Sequence, residues 1–221
     1  MKIDELNIVI TGANGALASY LLEYFSNRAA FVVGTVRRLS ETSTLKNNEA
    51  IIEMDPLDHY SIDKAINWVN NESGDVHVWM NIIGGFTMGN YVEGGNDAWT
   101  YMYNTNFMTV LNCCQQILPF MKNSGWGRII NIGSQTAING MPLAGPYCAS
   151  KAAVHSLTQT VALENCTGVT CNALVPGIID TQANRNNMPE ADHSGWVALE
   201  NMAENIEKIL LSNKNGLLLE L

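Results

Sequence analysis

A single-domain α/β fold, built on one doubly wound parallel sheet with helices on both faces, is the architecture this sequence predicts. Three observations carry it. Short β-branched runs alternate with amphipathic helical stretches along the chain, the order that yields parallel strands joined by right-handed crossovers. The first run, Asn7 to Ile10, leads into a glycine turn that opens a helix. No repeat, linker or low-complexity tract interrupts the pattern, and 221 residues with 47% apolar content suit one sizeable core. One domain is therefore expected over 1–221.

The composition also excludes. A net charge of -9 argues against nucleic acid or an anionic membrane surface as the main partner. No apolar run approaches the roughly 20 residues of a membrane span, and no apolar leader precedes the first strand. The five cysteines form no C-x-x-C and share no ligand-like spacing with the four histidines, so no metal site is expected and buried free thiols are the ordinary reading. A reducing cytoplasm is the consistent location.

Taken in order, Asn7 to Ile10 is the first strand. In the turn after it, Gly12 allows the tight bend, Gly15 the close approach and Ala18 the helix packing. Asn14, Gly15, Ala16 and Leu17 then present backbone N–H groups and a helix N-terminus to a phosphate. Leu17, Leu21, Leu22 and Phe25 recur at helical spacing. Phe31 to Val36 is the second strand, followed by Arg37 and Arg38, which either suit the 2′-phosphate of NADP or are solvated loop charges. Ala50 to Met54 is the third; Asp55 after it either meets an adenine edge or caps the next helix.

The fourth strand, Val76 to Met80, is left through Asn81-Ile-Ile-Gly84-Gly85-Phe86, whose glycines admit a flat ligand close to the backbone. Phe86 can stack on that ligand or pack as a lid. A loop through Gly94-Gly95 and a long helical pattern, Asn96 to Lys122, follow. Asn106 and Asn112 interrupt its apolar face, as members of a buried network or of a proton relay.

Ile129 to Ser134 is a buried strand ending in Gly133 and Ser134, and Pro146 opens a helix carrying Tyr147 and Lys151. Four residues apart, these two share a face. An ammonium beside a phenol of pKa ~10 favours the phenolate and moves it toward neutral pH. Ser134 is then placed to hold the substrate atom that Tyr147 protonates. After Gly168 to Val175, Pro176-Gly177 leads into a polar segment, about 178–196, at the carboxyl end of its strand, where ligands bind in open α/β sheets. An amphipathic helix from Val197 to about Leu211 and a strand Gly216 to Leu221 complete the pattern.

Together Thr11-Gly12-x-x-Gly15, Asn81-x-x-Gly84, Asn106, Ser134, Tyr147-x-x-x-Lys151 and Pro176-Gly177 resemble the short-chain dehydrogenase/reductase family, in its order and over essentially the whole chain. The resemblance implies a Rossmann-type fold and hydride transfer with NAD(P). It implies that Tyr147 donates the proton and that Lys151 binds the nicotinamide ribose and lowers the Tyr147 pKa. Ser134 would orient the substrate oxygen, and Asn106 would support a water relay. Pro176, Gly177 and residues after them, Ile179 and Thr181, would line the nicotinamide.

A narrower resemblance, to dihydropteridine reductases, rests on Gly84-Gly85-Phe86-x-x-Gly89, on Lys151-x-Ala153-Val154-His155, and above all on the run Asp180 to Trp196. Those enzymes commonly carry an acidic residue where this chain has Arg37, and tend to lack its Ser134. The expectation is an NADP(H)-favouring reductase of a small quinonoid or carbonyl substrate. The alternatives are a general carbonyl or 3-oxoacyl reductase, or a non-catalytic NADP-binding regulator. His155 and His193 read as structural. Apolar stripes on the long helices (Leu111, Cys114, Ile117; Val154, Leu157, Val161) suggest a homodimer or homotetramer.

Overall fold

A computed structural model describes residues 1–39, 48–89, 95–165 and 167–221; Cys166 and the Gly94 end of the expected loop lie outside them. Seven strands form one sheet: β1 (Asn7–Thr11), β2 (Phe31–Val36), β3 (Glu49–Glu53), β4 (Val78–Asn81), β5 (Gly127–Ile132), β6 (Val169–Val175) and β7 (Leu218–Glu220). All pair in parallel, in the order β3-β2-β1-β4-β5-β6-β7. The order reverses between β1 and β4, and the crevice beyond their carboxyl ends is where such sheets bind ligands.

The β-branched runs are strands because both faces are covered: every residue of β1, β4, β5 and β6 is buried. Helices α1 (Ala16–Ser26) and α8 (Leu199–Leu210) cover one face, and Leu21, Phe25, Met202 and Ile206 pack there on Ile8, Ile10 and Met80. Against the other face lie α2 (His59–Ser73), α4 (Thr109–Ser124) and α6 (Gly145–Glu164), through Ile62, Ile66, Ile117 and Val154 on Val9, Trp79 and Ile129. Cys114, Ile117, Val154 and Val161 are therefore core and Leu157 packs against it partly buried, while Leu111 of the same stripes is half-buried outside the cluster.

The long helical pattern is not one helix. It comprises α3 (Gly95–Tyr103), a π-turn over Asn104–Met108, and α4. Segment 178–196 holds a short helix, α7 (Gln182–Asn187), and α5 (Thr136–Asn139) follows β5 directly. Among the described residues no helix is long and apolar enough to cross a membrane.

Candidate active site

One face of α6 lies along the end of β5 and fixes it residue by residue. Tyr147, Lys151 and His155 follow at four-residue intervals, so they stack on that face. Lys151 Nζ donates to the Ile132 carbonyl at 2.8 Å, and His155 Nε2 accepts the Ser134 N–H at 3.2 Å. Between them the Gly133 N–H donates to the Leu174 carbonyl on β6 at 2.7 Å. A Cβ on Gly133 would overlap His155 Nε2, which is why glycine precedes the serine. Ser134 Oγ shares a 2.9 Å hydrogen bond with Thr136 Oγ1 and also reaches the Tyr147 side chain. Ser134, Tyr147 and Lys151 are thus brought together.

Their electrostatics differ from the expectation. Burial raises the Tyr147 pKa above its usual value; the hydrogen bond to Ser134 opposes the rise and the neighbouring Cys148 adds to it. Lys151, expected to lower it, is not among the groups acting on Tyr147, and its Nζ donates to the strand carbonyl. Burial also lowers Lys151 itself, to about 8.

Asn106 sits in the π-turn and is fully buried. Its Oδ1 accepts the Gly85 N–H at 2.8 Å, and its Nδ2 donates to the Gly85 carbonyl and Ser150 Oγ, each at 3.0 Å. Of the two roles expected for it, membership of a buried network is met: the side chain clips the loop after β4 to α6. It sets Gly84 over the site: a Cβ there would stand 3.4 Å from Lys151 Nζ. Asn112 is likewise structural, donating to the Pro56 carbonyl at 3.0 Å.

The groove between β1 and β4 fits a dinucleotide. Gly12 takes a φ of +75°, open to glycine, and a Cβ on it would stand 2.8 Å from Ile83. Its N–H and that of Ala13 are held by the Thr35 carbonyl, whereas those of Ala16 and Leu17, at the uncapped start of α1, have no acceptor among the described residues. Those free donors and the helix dipole make an anion seat. Beside it a cavity of about 170 Å³ is lined by Gly12, Asn14, Thr35, Val36, Arg37, Met54, Pro56 and Ile83. Arg37 and Arg38 are both exposed beyond β2, with only Arg37 on the cavity.

Asp55 stands between Met54 and Pro56, which line that cavity, and its carboxylate accepts the Leu57 N–H at 2.9 Å; it does not cap α2, whose cap is Asp58. Asn81 does not face the groove. Its amide accepts from Trp79 Nε1 at 3.0 Å and donates to Asn131 at 2.8 Å, so it joins β4 to β5 inside the core. Thr11 does the work at that strand end, its Oγ1 accepting the Ile82 N–H at 2.9 Å.

Phe86 is exposed and meets the Tyr147 ring edge-on, with centroids 4.9 Å apart. Met88, Ile138, Leu143 and Ile178, on the segments that follow β4, β5 and β6, are also exposed. Pro176 accepts the Gln135 N–H at 3.0 Å, which ties it to the residue after Ser134, and the Gly177 N–H donates to Leu221. Ile179 bridges to Val197, while the Thr181 hydroxyl caps α7 through the Asn184 N–H at 3.2 Å. The loop is braced by Arg185, which pairs with both oxygens of Asp180 at 2.6 and 2.7 Å, and by His193, which contacts Arg185 and Trp196. No cluster of metal ligands occurs among the described residues. Sequence reasoning left His155 and Ser150 without a place in the site; the four-residue interval from Lys151 and the adjacent Gly133 were the available signals.

A family model described as short chain dehydrogenase matches residues 6–192. A 3-ketodihydrosphingosine reductase from Bacteroides thetaiotaomicron is 31% identical over 157 residues, 71% of this chain but only 57% of that reductase's length. A 3-oxoacyl-(acyl-carrier-protein) reductase from Haemophilus influenzae is 30% identical over 185 residues, 78% of this chain and 74% of that one. In solved structures, ElxO with NADP bound superposes with a TM-score of 0.89 at 24% identity, covering 100% of this chain and 97% of that one. A gluconate 5-dehydrogenase from Burkholderia cenocepacia, in complex with NADP and tartrate, gives 0.88 at 23%, covering 100% and 94%. These two show the same fold.

Proposed function

The chain belongs to the short-chain dehydrogenase family, and on that premise we propose an NADP(H)-preferring reductase of a small quinonoid or carbonyl substrate, resembling the dihydropteridine reductases. The observation that carries the reading is the convergence of Tyr147, Ser134 and Phe86 at one point, with the Lys151 amine one turn behind. Gly12, Asn14, Gly15, Ala16 and Leu17 would hold the pyrophosphate, Arg37 the 2′-phosphate, and Gly84, Lys151, Pro176, Gly177, Ile179 and Thr181 the nicotinamide half. When bound, the reduced nicotinamide supplies the hydride. Ser134 holds the substrate oxygen by a hydrogen bond from Oγ. Tyr147 delivers the proton from its hydroxyl, favoured as the neutral acid by the raised pKa. Lys151, with a pKa of about 8, can return a proton near neutral pH. Phe86 offers a face to a planar ring.

Support for the pterin reading is the run Asp180 to Trp196, whose Asp180, Arg185, His193 and Trp196 brace one another. A second reading, a general carbonyl or 3-oxoacyl reductase, is favoured by the retained Ser134. Assembly as a homodimer, or homotetramer, is proposed through α3, where Tyr101 and Tyr103 are exposed beside half-buried Phe107; a reducing cytoplasm suits the free thiols. The test is steady-state NADPH and NADH oxidation against quinonoid dihydropterin, quinones and 3-oxoacyl thioesters, in wild type and Tyr147→Phe. Turnover of dihydropterin, lost in the variant, is expected. Cofactor binding with no turnover across the panel would defeat the reading in favour of a non-catalytic regulator.

A further inference from the structure

We infer that His155 is a positioning residue: it fixes Ser134 by accepting its backbone N–H at Nε2, so the site requires a neutral imidazole there. The inference rests on the reading that Ser134 holds the substrate oxygen. Three facts carry it. The Ser134 N–H points at Nε2 from 3.2 Å. The imidazole fills the space a side chain on Gly133 would need, so strand and ring are mutually fitted. And the two donors and acceptors just before it are already taken, the Ile132 carbonyl by Lys151 and the Gly133 N–H by Leu174, so the Ser134 N–H depends on His155 for its partner.

Accepting at Nε2 places the ring proton on Nδ1. A second proton goes to Nε2 and turns the acceptor into a donor aimed at another donor, so the Ser134 backbone must withdraw. Burial disfavours that proton first; Lys151, one turn back on α6, adds to it, and Glu220 on β7 opposes. The balance holds the imidazole neutral at pH values where a free histidine is half charged, at about 6.5. As pH falls through the lowered value, Ser134 loses its fixed position while Tyr147 stays neutral and Lys151, with its pKa of about 8, is already charged.

Nitrogen-15 NMR of the protein without cofactor, titrated from pH 8 to 5, reads this directly. The expected result is an Nδ1–H tautomer at neutral pH and a Ser134 amide shift that titrates with the ring, with a midpoint below about 6.5. In kinetics, His155→Leu should lower kcat for a carbonyl substrate roughly tenfold to a hundredfold, the size expected for an unpaired buried donor, with the KM for NADPH unchanged. His155→Gln, which keeps an acceptor, should restore most of that kcat and remove the acid limb of its pH profile. A charged ring at neutral pH, a Ser134 amide indifferent to its titration, or a Leu variant matching wild type would overturn the inference. If His155→Leu does not fold, the Gln variant and the NMR titration decide. A wild type that reduces no carbonyl compound defeats the functional reading instead, and the titration still decides the hydrogen bond.

Discussion

Replacing Lys151 by Met removes a buried charge at nearly constant side-chain length, and the structure fixes what that should do to stability. Lys151 is 4% exposed, and its pKa of about 8 compares with 10.5 for a free lysine. The unfolded chain therefore binds more protons than the folded one between those values, so stability rises with pH across that window and is lowest below it. At about 1.36 kcal/mol per unit, holding the charge inside costs roughly 3 kcal/mol at pH 7. Against this, the variant leaves the Ile132 carbonyl unpaired, at about 1–3 kcal/mol. Lys151→Met should thus be as stable as wild type at pH 7, or more so, while reduction is lost. By pH 9.5 wild type recovers about 2 kcal/mol of the penalty and the variant none. Urea unfolding of both proteins without cofactor, followed by tryptophan fluorescence at pH 7 and 9.5, measures the double difference, in which every titrating group not coupled to Lys151 cancels. A stability gap that stays constant between the two pH values would refute the reasoning.

Arg37→Asp should reverse cofactor preference. A charge-assisted contact to the 2′-phosphate contributes about 1.5–3 kcal/mol, or roughly tenfold to a few hundredfold in kcat/KM for NADPH over NADH, and a wild type that prefers NADH would sink the assignment. Ser134→Ala should nearly abolish ketone reduction yet lower quinonoid dihydropterin reduction only modestly, because an electron-poor ring needs little polarisation; equal, large losses for both would defeat it. Gly133→Ala drives a methyl into His155 and should cost about 1–3 kcal/mol, read as a lowered urea midpoint; an unchanged midpoint would show that the ring has room to move. Light scattering at micromolar concentration should give at least a dimer, and a monomer would rule that out.

Much of this was legible in the chain because the strands are buried on both faces. Their β-branched runs stand out without alternation, and the glycines mark where backbone must bend. Boundaries drifted where a tertiary bond decided them: β4 begins at Val78 rather than Val76, after His77 has received the Asn7 N–H on its ring and given its own N–H to the Asn7 carbonyl. Side-chain direction was the harder quantity. Asn81 and Asn106 look alike as polar breaks in apolar runs, yet one ties two strands together and the other clips a loop, and only the register of β4 on β5, with Asn81 opposite Asn131, separates them. Lys151 shares the Tyr147 face of its helix, as the spacing implies, but its bond to the Ile132 carbonyl is not legible in the chain, since a strand carbonyl leaves no trace in residue identity.

The π-turn at Asn104–Met108 makes this part of the chain sensitive to counting rather than to chemistry. Each residue advances a helix by about 100°, so removing one from this turn would wind it back to ordinary pitch and swing the whole of α3 around its axis relative to α4. Asn106 would rotate off Gly85 although every side chain kept its identity. Substitutions on the outer face of α3 leave that phase untouched, whereas a single insertion or deletion resets it; the span from Gly95 to Ser124 therefore works as a vernier whose setting is its length.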